Sequence, residues 1–448
     1  MYYNNILEVV GNTPLVRINK LNPNPRVLML VKLEFLNPGG SIKDRIGLPM
    51  VEKAEKEGNL NKGGTVVEPT SGNTGVGLAM AAAIKGYRTI FVMPDKMSEE
   101  KRNLLRAYGA KVIMTPTAVE PQDSRSYYNV SEKITRETKG GFKPDQYSNP
   151  ANPEAHFMTT GPEIWEQTEG KVTHVIIGMG TGGTISGVGR YLKKKNNKIK
   201  IIGVDPEGSV YYHYFKTGKL PKILTTYKVE GIGEDFLPET MDFSVIDDVI
   251  VVSDKESFIT ARQLAREEGI LAGGSSGLAL AGARKVARRI KEGIVAVILP
   301  DSGKNYLTKF FNDNWMRDHG FLDGEDESVR QLLNKKLHFI TVQSQSTPRE
   351  AIKMMQKFQI SQLPVMEGKK VIGTITESIL IKSLYGKAKI PVTVEEIMDR
   401  DFITLPDTAS EAQLVSALRD KEMVIITDKK GKPIDVLTRI DFLSSLSA

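Results

Sequence analysis

The sequence has no cysteine among its 448 residues. Without thiols there is no disulfide framework, zinc finger, iron–sulfur cluster or thiol nucleophile, so no metal site is expected and any chemistry comes from other groups. Long hydrophobic runs are missing too. The longest apolar stretches, residues 78–84 and 294–299, fall far short of the roughly 20 residues of a membrane span, and no membrane partner is expected. The N-terminal MYYNNILEVVGN lacks the basic region, apolar block and cleavage site of a secretory signal, which makes a cytoplasmic protein the expectation. Charge of one sign is not in great excess: 61 Lys+Arg against 54 Asp+Glu leave a net +7. The densest basic run, Lys193 to Lys195, falls at the end of a predicted helix, where cations suit the dipole. With the remaining basic residues scattered, nucleic acid is not an expected partner.

What is present is 40% hydrophobic and 26% charged, ordinary for a soluble chain that buries a sizeable core. The length allows about three domain-sized units, or a large one with an appendage. From about residue 27 to 316, β-rich runs alternate with helical patterns, the signature of a parallel sheet with helices on both faces. The spacing predicts strands over 27–31, 65–67, 89–93, 111–114, 172–177, 199–204, 249–252 and 294–299, with helices over 44–57, 98–108 and 255–268. Ser98 and Ser253 or Asp254 stand where N-caps are needed. In such sheets a ligand lies at the carboxyl ends of the strands.

Three stretches occupy those ends. NPGGSIKDR, residues 37–45, sets Lys43 at the turn into a helix. A lysine there is either solvated or, if buried against a cofactor, a lowered-pKa amine able to form an imine. EPTSGNTG, residues 68–75, joins a strand to a helix, and backbone amides at such an entry suit a carboxylate, unless Ser71 or Asn73 merely caps the helix. GMGTGGT, residues 178–184, follows a β-run and opens a helix. Gly180, Gly182 and Gly183 admit an anion to the backbone, and Thr181 and Thr184 add hydroxyls, a phosphate cradle. A glycine-rich loop alone is weak evidence, because dinucleotide folds use similar ones. An imine-forming lysine, a phosphate cradle and a carboxylate cradle together match the three handles of pyridoxal phosphate bound to an amino acid.

These motifs, with EGIGEDF and LPDSGKNY, occur in the order and approximate spacing of the β-family (fold type II) pyridoxal-phosphate enzymes. The chain resembles the cysteine synthase/cystathionine β-synthase family in its bacterial type. That resemblance implies an α/β fold of two parallel-sheet subdomains with an α+β tail. It implies that Lys43 forms the imine with pyridoxal 5'-phosphate and later shuttles the α-proton. Asn73 would bond the cofactor's phenolic oxygen, Gly180, Thr181, Gly182, Gly183 and Thr184 its phosphate, and Ser302 its pyridine nitrogen. Thr70, Ser71, Asn73 and Thr74 would bind the substrate carboxylate, Gly231 would lie close to the substrate, and Tyr147 would flank the entry of the thiol. The implied reaction is a lyase-type β-replacement that condenses L-serine with L-homocysteine to cystathionine through an aminoacrylate. Glu230 is a further candidate for handling the thiol. Two departures stand out. Animal members carry a haem segment with Cys and His ligands, whereas here the shared GNTPL begins at Gly11 and cysteine is absent, so haem is not expected. Glu234 stands where eukaryotic members have an aromatic residue, which leaves substrate choice open.

Beyond the acidic stretch 319–331 the chain repeats itself at an offset of 63 residues, HFITVQSQSTPREAIKMM from residue 338 matching DFITLPDTASEAQLVSAL from 401. Each copy reads strand, helix, hairpin and short helix, and two copies make a paired module rather than a solenoid. The divisions expected are a catalytic domain over 1–318, a linker over 319–334, and CBS domains over 335–388 and 389–448. The resemblance implies one adenosine-ligand site, for S-adenosylmethionine, at Thr438 and Asp441 in the second copy. In the first copy Thr376 is kept but Ile379 replaces the acid. A homodimer or higher homo-oligomer is implied as well. Two rival readings remain open: a cysteine synthase using O-acetylserine or O-phosphoserine with sulfide, and a non-catalytic adenosine sensor.

Overall fold

Ten short strands carry the first part of the chain in the computed structural model, which describes residues 2–70, 72–95, 97, 99–116, 119, 123–322, 329, 339–384 and 391–446. They are β1 (Leu15–Arg17), β2 (Val27–Leu33), β3 (Thr65–Pro69), β4 (Arg88–Pro94), β5 (Lys111–Thr115), β6 (Gly141–Phe142), β7 (His174–Gly178), β8 (Lys200–Pro206), β9 (Asp248–Val252) and β10 (Gly293–Leu299). They form two sheets, of order β1-β2-β10-β7-β8-β9 and β5-β4-β3-β6. All pairings are parallel except β1 on β2. The chain therefore starts the larger sheet, leaves to build the smaller one, and returns. All eight expected strands are present with ends within two residues of those predicted. Two were not expected, β1 and β6, which at three and two residues are too short to show a period.

Parallel strands covered by helices on both faces read as continuous apolar runs, and β10, GIVAVIL, is such a run. Its side chains nevertheless alternate. Val295, Val297 and Leu299 enter one core with Met29 and Val31, while Ala296 and Ile298 enter another with Val175 and Ile177. The smaller sheet has its own core around Val66, Leu78, Phe91 and Met93. The expected helices are found over Asp44–Lys56, Glu99–Ala107 and Asp254–Glu268. Ser253 accepts the Glu256 N–H as the N-cap of the last; Ser98 lies outside the described residues.

One helix contact places the site. A Cβ built on Gly47 would lie 2.3 Å from the Gly77 carbonyl, and one on Gly77 would lie 2.6 Å from the Lys43 carbonyl oxygen. The helices Asp44–Lys56 and Asn73–Lys85 thus meet backbone to backbone, and their N-termini, after β2 and after β3, come together.

The second unit, Asp323–Ala448, holds two copies of one motif. In the first, β11 (Val342–Gln343), β12 (Gln362–Glu367) and β13 (Lys370–Thr376) form a sheet, and in the second β14 (Ile403–Pro406), β15 (Met423–Thr427) and β16 (Pro433–Thr438) do so. Each pairs its first strand parallel to a hairpin. The helices Pro348–Phe358 and Glu411–Asp420 open on capping boxes at equivalent points of the repeat, Thr347 with Glu350 and Ser410 with Gln413. Most of the stretch 319–334 lies outside the described residues, as does His338. Within it, Val329 is fully buried and donates its N–H to the Ala409 carbonyl at 3.2 Å.

Candidate active site

The turn after β2 delivers Lys43 as the residue before the helix Asp44–Lys56. Lys43 lines a cavity with Gly180, Thr181, Gly182, Thr184 and Ser275. Burial favours its neutral form and lowers its pKa from the usual lysine value, while the charges of Asp301 and Glu234 oppose the shift. The amine is thus biased toward a nucleophile, in a place where other groups can hold an anion.

Those groups come from the turn between β7 and the helix Gly183–Lys195. Gly182 sits at φ +91°, and a Cβ there would lie 2.7 Å from Met241 Cα. The conformation and the space both require glycine. The cradle is held from outside. Tyr211 donates its hydroxyl to the Gly180 carbonyl at 2.6 Å, Asn152 Nδ2 donates to Thr181 Oγ1 at 3.2 Å, and Thr240 Oγ1 donates to the Thr181 carbonyl at 2.5 Å. The Thr184 hydroxyl lies 3.2 Å from His156 Nε2, with Thr160 Oγ1 2.9 Å from the other ring nitrogen. Burial, and then the charges of Arg45 and Lys43, keep His156 well below the usual histidine value, so its ring is neutral. A helix N-terminus lined with backbone N–H groups and two hydroxyls, beside an amine whose pKa burial lowers, suits the phosphate and aldehyde of pyridoxal phosphate. Among the described residues no group of three or more His, Cys, Asp or Glu is arranged to hold a metal ion.

The loop after β3 is partly engaged with itself. Thr70 Oγ1 accepts the N–H groups of Gly72 and Gly75 at 3.0 and 3.2 Å, and Thr74 Oγ1 donates to Gln146 Oε1 at 2.6 Å. Ser71 lies outside the described residues. Asn73 donates its amide to Asp301 Oδ2 at 3.0 Å. Asp301 was missed by the sequence reading although it stands in LPDSGKNY. It is buried, it also receives the Tyr306 hydroxyl at 2.6 Å, and burial raises its pKa.

Ser302 requires a correction. It is not among the residues lining the cavity. It pairs as a bridge with Ala272, and its Oγ accepts the Lys304 N–H at 3.3 Å as the cap of the short turn Gly303–Tyr306. The hydroxyl residue on the cavity wall is Ser275, 5% exposed, in the first turn of the helix Gly274–Arg289. Its signal was the run AGGSSG, a glycine turn into a helix, here between the helices Asp254–Glu268 and Gly274–Arg289 rather than after a strand.

Gly231 lines the cavity. Tyr147 packs edge-on against Phe236 and Tyr128, at centroid distances of 5.2 and 6.3 Å. Burial, reinforced by the Glu234 charge, raises its hydroxyl pKa well above the ordinary tyrosine value. Glu230 is engaged elsewhere. It pairs with Lys101 Nζ at 2.5 Å and also with Lys309. Burial would raise its pKa, but the two ammonium groups outweigh that and hold it below the ordinary glutamate value, which makes the carboxylate a weaker proton acceptor.

The chain matches the family described as pyridoxal-phosphate dependent enzyme over residues 6–301 and the CBS domain over 329–386 and 394–448. It is 40% identical to a cystathionine beta-synthase of Dictyostelium discoideum, across 99% of this chain and 92% of that one. It is 44% identical to one from Mus musculus, across 90% and 74%. Among solved structures, an O-ureido-L-serine synthase superposes with a TM-score of 0.65 at 36% identity, covering 73% of this chain and 98% of its own.

Glu230→Gln removes the acid that Lys101 and Lys309 share, and we expect the first unit to lose about 3 kcal/mol of unfolding free energy at pH 7, the scale for breaking a buried pair. Because the folded-state pKa of Glu230 is depressed, its contribution is present above the ordinary value of 4.5 and fades as pH falls below it. Urea unfolding at pH 7 and pH 4 measures both, and equal midpoints for variant and wild type at pH 7 contradict the assignment.

Proposed function

This chain belongs to the cystathionine β-synthase family of pyridoxal-phosphate dependent enzymes, and we propose that it condenses L-serine with L-homocysteine to cystathionine and water. The observation that carries the proposal is the single cavity where a lowered-pKa lysine faces a glycine-built anion cradle. Near-complete coverage of a relative with that activity name supports it.

Bound pyridoxal phosphate supplies an electron-withdrawing ring that stabilises charge developing at the α-carbon of an amino acid. The chain supplies the rest. Lys43 Nζ, its pKa lowered by burial, would be the point of attachment for the cofactor's aldehyde and the base that takes the α-proton of serine and returns it to the product. The N-terminal turn of the helix Gly183–Lys195 and the hydroxyls of Thr181 and Thr184 neutralise the phosphate. The loop of Thr70, Ser71, Asn73 and Thr74 receives the amino-acid carboxylate at the start of the helix Asn73–Lys85. Asn73 also orients the ring oxygen. Ser275, in place of Ser302, would meet the ring nitrogen. A neutral hydroxyl there would leave that nitrogen uncharged, limiting electron withdrawal and favouring β-replacement over transamination. Tyr147, Tyr128 and Phe236 pack together edge-on, an aromatic cluster that would flank the entry of the thiol.

The tail is the regulatory part of the reading. Asp441 Oδ2 accepts both the N–H and the hydroxyl of Thr438, at 2.9 and 2.6 Å. In the first copy the equivalent Thr376 hydroxyl accepts the Ile379 N–H at 3.3 Å and no acid is present. One adenosine ligand, S-adenosylmethionine, would therefore bind at Thr438 and Asp441. A homo-oligomer working in the cytoplasm accords with the family and with the paired module; among the described residues no helix is long and apolar enough to cross a membrane.

Three experiments follow. Mass spectrometry of products from serine with homocysteine should show cystathionine; cysteine from O-acetylserine with sulfide, and nothing from the first pair, reverses the choice of substrates. Ser275→Ala should shift the cofactor's absorbance and cut kcat by about tenfold or more, whereas Ser302→Ala should leave the spectrum in place, and the opposite pattern restores Ser302. Millimolar S-adenosylmethionine should raise the Tm of the tail, and no shift in Tm or rate removes it as the ligand.

A further inference from the structure

Glu68 is a fully buried acid on β3 that the reaction above does not use. Its two carboxylate oxygens take two successive backbone N–H groups, Asp145 at 2.9 Å and Gln146 at 3.1 Å. Asp145 is held at φ +53°, a left-handed conformation uncommon for residues other than glycine, and the paired bonds from its own N–H and the next fix the turn there.

From this turn hydrogen bonds reach both anion loops. Gln146 Oε1 accepts the Thr74 hydroxyl at 2.6 Å, in the loop after β3. The Gln146 carbonyl accepts Asn152 Nδ2 at 2.8 Å, and the same amide donates to Thr181 Oγ1 in the cradle after β7. The Tyr147 carbonyl accepts the Thr240 N–H at 3.1 Å, and the Thr240 hydroxyl reaches the Thr181 carbonyl. Residues 145–147 are therefore the piece of chain through which the two loops are linked, and Glu68 lies beneath them.

We propose that Glu68 is a positioning residue for the reaction: its carboxylate sets the 145–147 turn so that Gln146 holds the Thr74 hydroxyl, and with it the carboxylate-binding loop, in place. The proposal rests on the reading of Thr70 to Thr74 as that loop. Two acceptor oxygens are required because the turn presents two N–H donors; a glutamine would turn its NH₂ group toward one of them and lose that bond.

The test uses the holoenzyme and the variants Glu68→Gln, Gln146→Ala and their combination. Titration with serine alone, followed by the cofactor's absorbance, reads binding of the first substrate without turnover. Each single variant is expected to weaken serine on the order of tenfold, and the double variant no further, because both cut one chain of contacts. Amide hydrogen exchange at residues 143–149 is expected to quicken in Glu68→Gln while β3 and β4 stay protected. If Glu68→Gln does not accumulate as folded protein, Glu68→Asp replaces it, since the shorter acid keeps the charge and loses one of the two N–H bonds. Unchanged serine binding, or losses that add in the double variant, overturn the proposal. A wild type that binds serine yet makes no cystathionine refutes the assigned reaction, and weakened serine binding in the variants upholds Glu68 even then.

Discussion

The close approach of two helices at Gly47 and Gly77 is the constraint on which the site depends. With no side chain at either position, the helix that follows Lys43 and the helix that begins at Asn73 touch through their backbones. A single methyl at Gly47 would fall inside the Gly77 carbonyl, and the packed interior has no slack to absorb it. The amine from the end of β2 and the anion-seeking helix start from the end of β3 belong to different sheets, and this contact makes them neighbours.

Around the contact, charges are buried in pairs so that one amine can remain unpaired in function. Arg45, next but one to Lys43, is bound at both ends: Nε and Nη2 to Glu34 at 2.7 and 2.8 Å, and Nη1 to Glu163 at 2.7 Å. Lys32 joins Glu163 at 2.7 Å. Burial would raise the Glu163 pKa, but Arg45 and Lys32 outweigh it and hold the acid at about 2. Asn37 donates to Glu34 at 3.0 Å, so the network also fixes the NPGG turn that carries Lys43. A buried pair of this kind adds little net stability against an apolar substitute, and its value here is geometric. It anchors the turn without placing a counter-ion on Lys43, whose neutral form is what attack on an aldehyde needs.

The same division of labour explains three further acids of the first unit. Glu230 is neutralised by two lysines, Asp301 is tied to Asn73 and Tyr306, and Glu68 is spent on backbone N–H groups. None of the three is placed as a general base by its contacts. In the proposed reaction, proton transfer would fall to Lys43.

The strands were legible because β10 or β3 need only an apolar run of the right length between turns, and the repeated tail was legible because its capping boxes and hairpins recur in register. Lys43, the cradle of Gly180 to Thr184 and the Thr70 to Thr74 loop were legible because each needs glycine or hydroxyl residues at a strand-to-helix turn, which is a local requirement. Ser275 and Ser302 show where that logic stops. Both follow strand or turn signals, and both are serines beside glycine. Only the bridges Ser41 with Asp301 and Ala272 with Ser302 decide that one hydroxyl caps a turn while the other faces the cavity. Asp301, Gln146 and Glu68 escaped for the same reason, since their roles are hydrogen bonds across 72 to 228 residues of chain. The sequence by itself determined the elements, their order and the chemistry of the turns, because those depend on neighbours along the chain. Which turns share one cavity, and which polar group faces it, was decided only by tertiary packing, because that depends on neighbours in space.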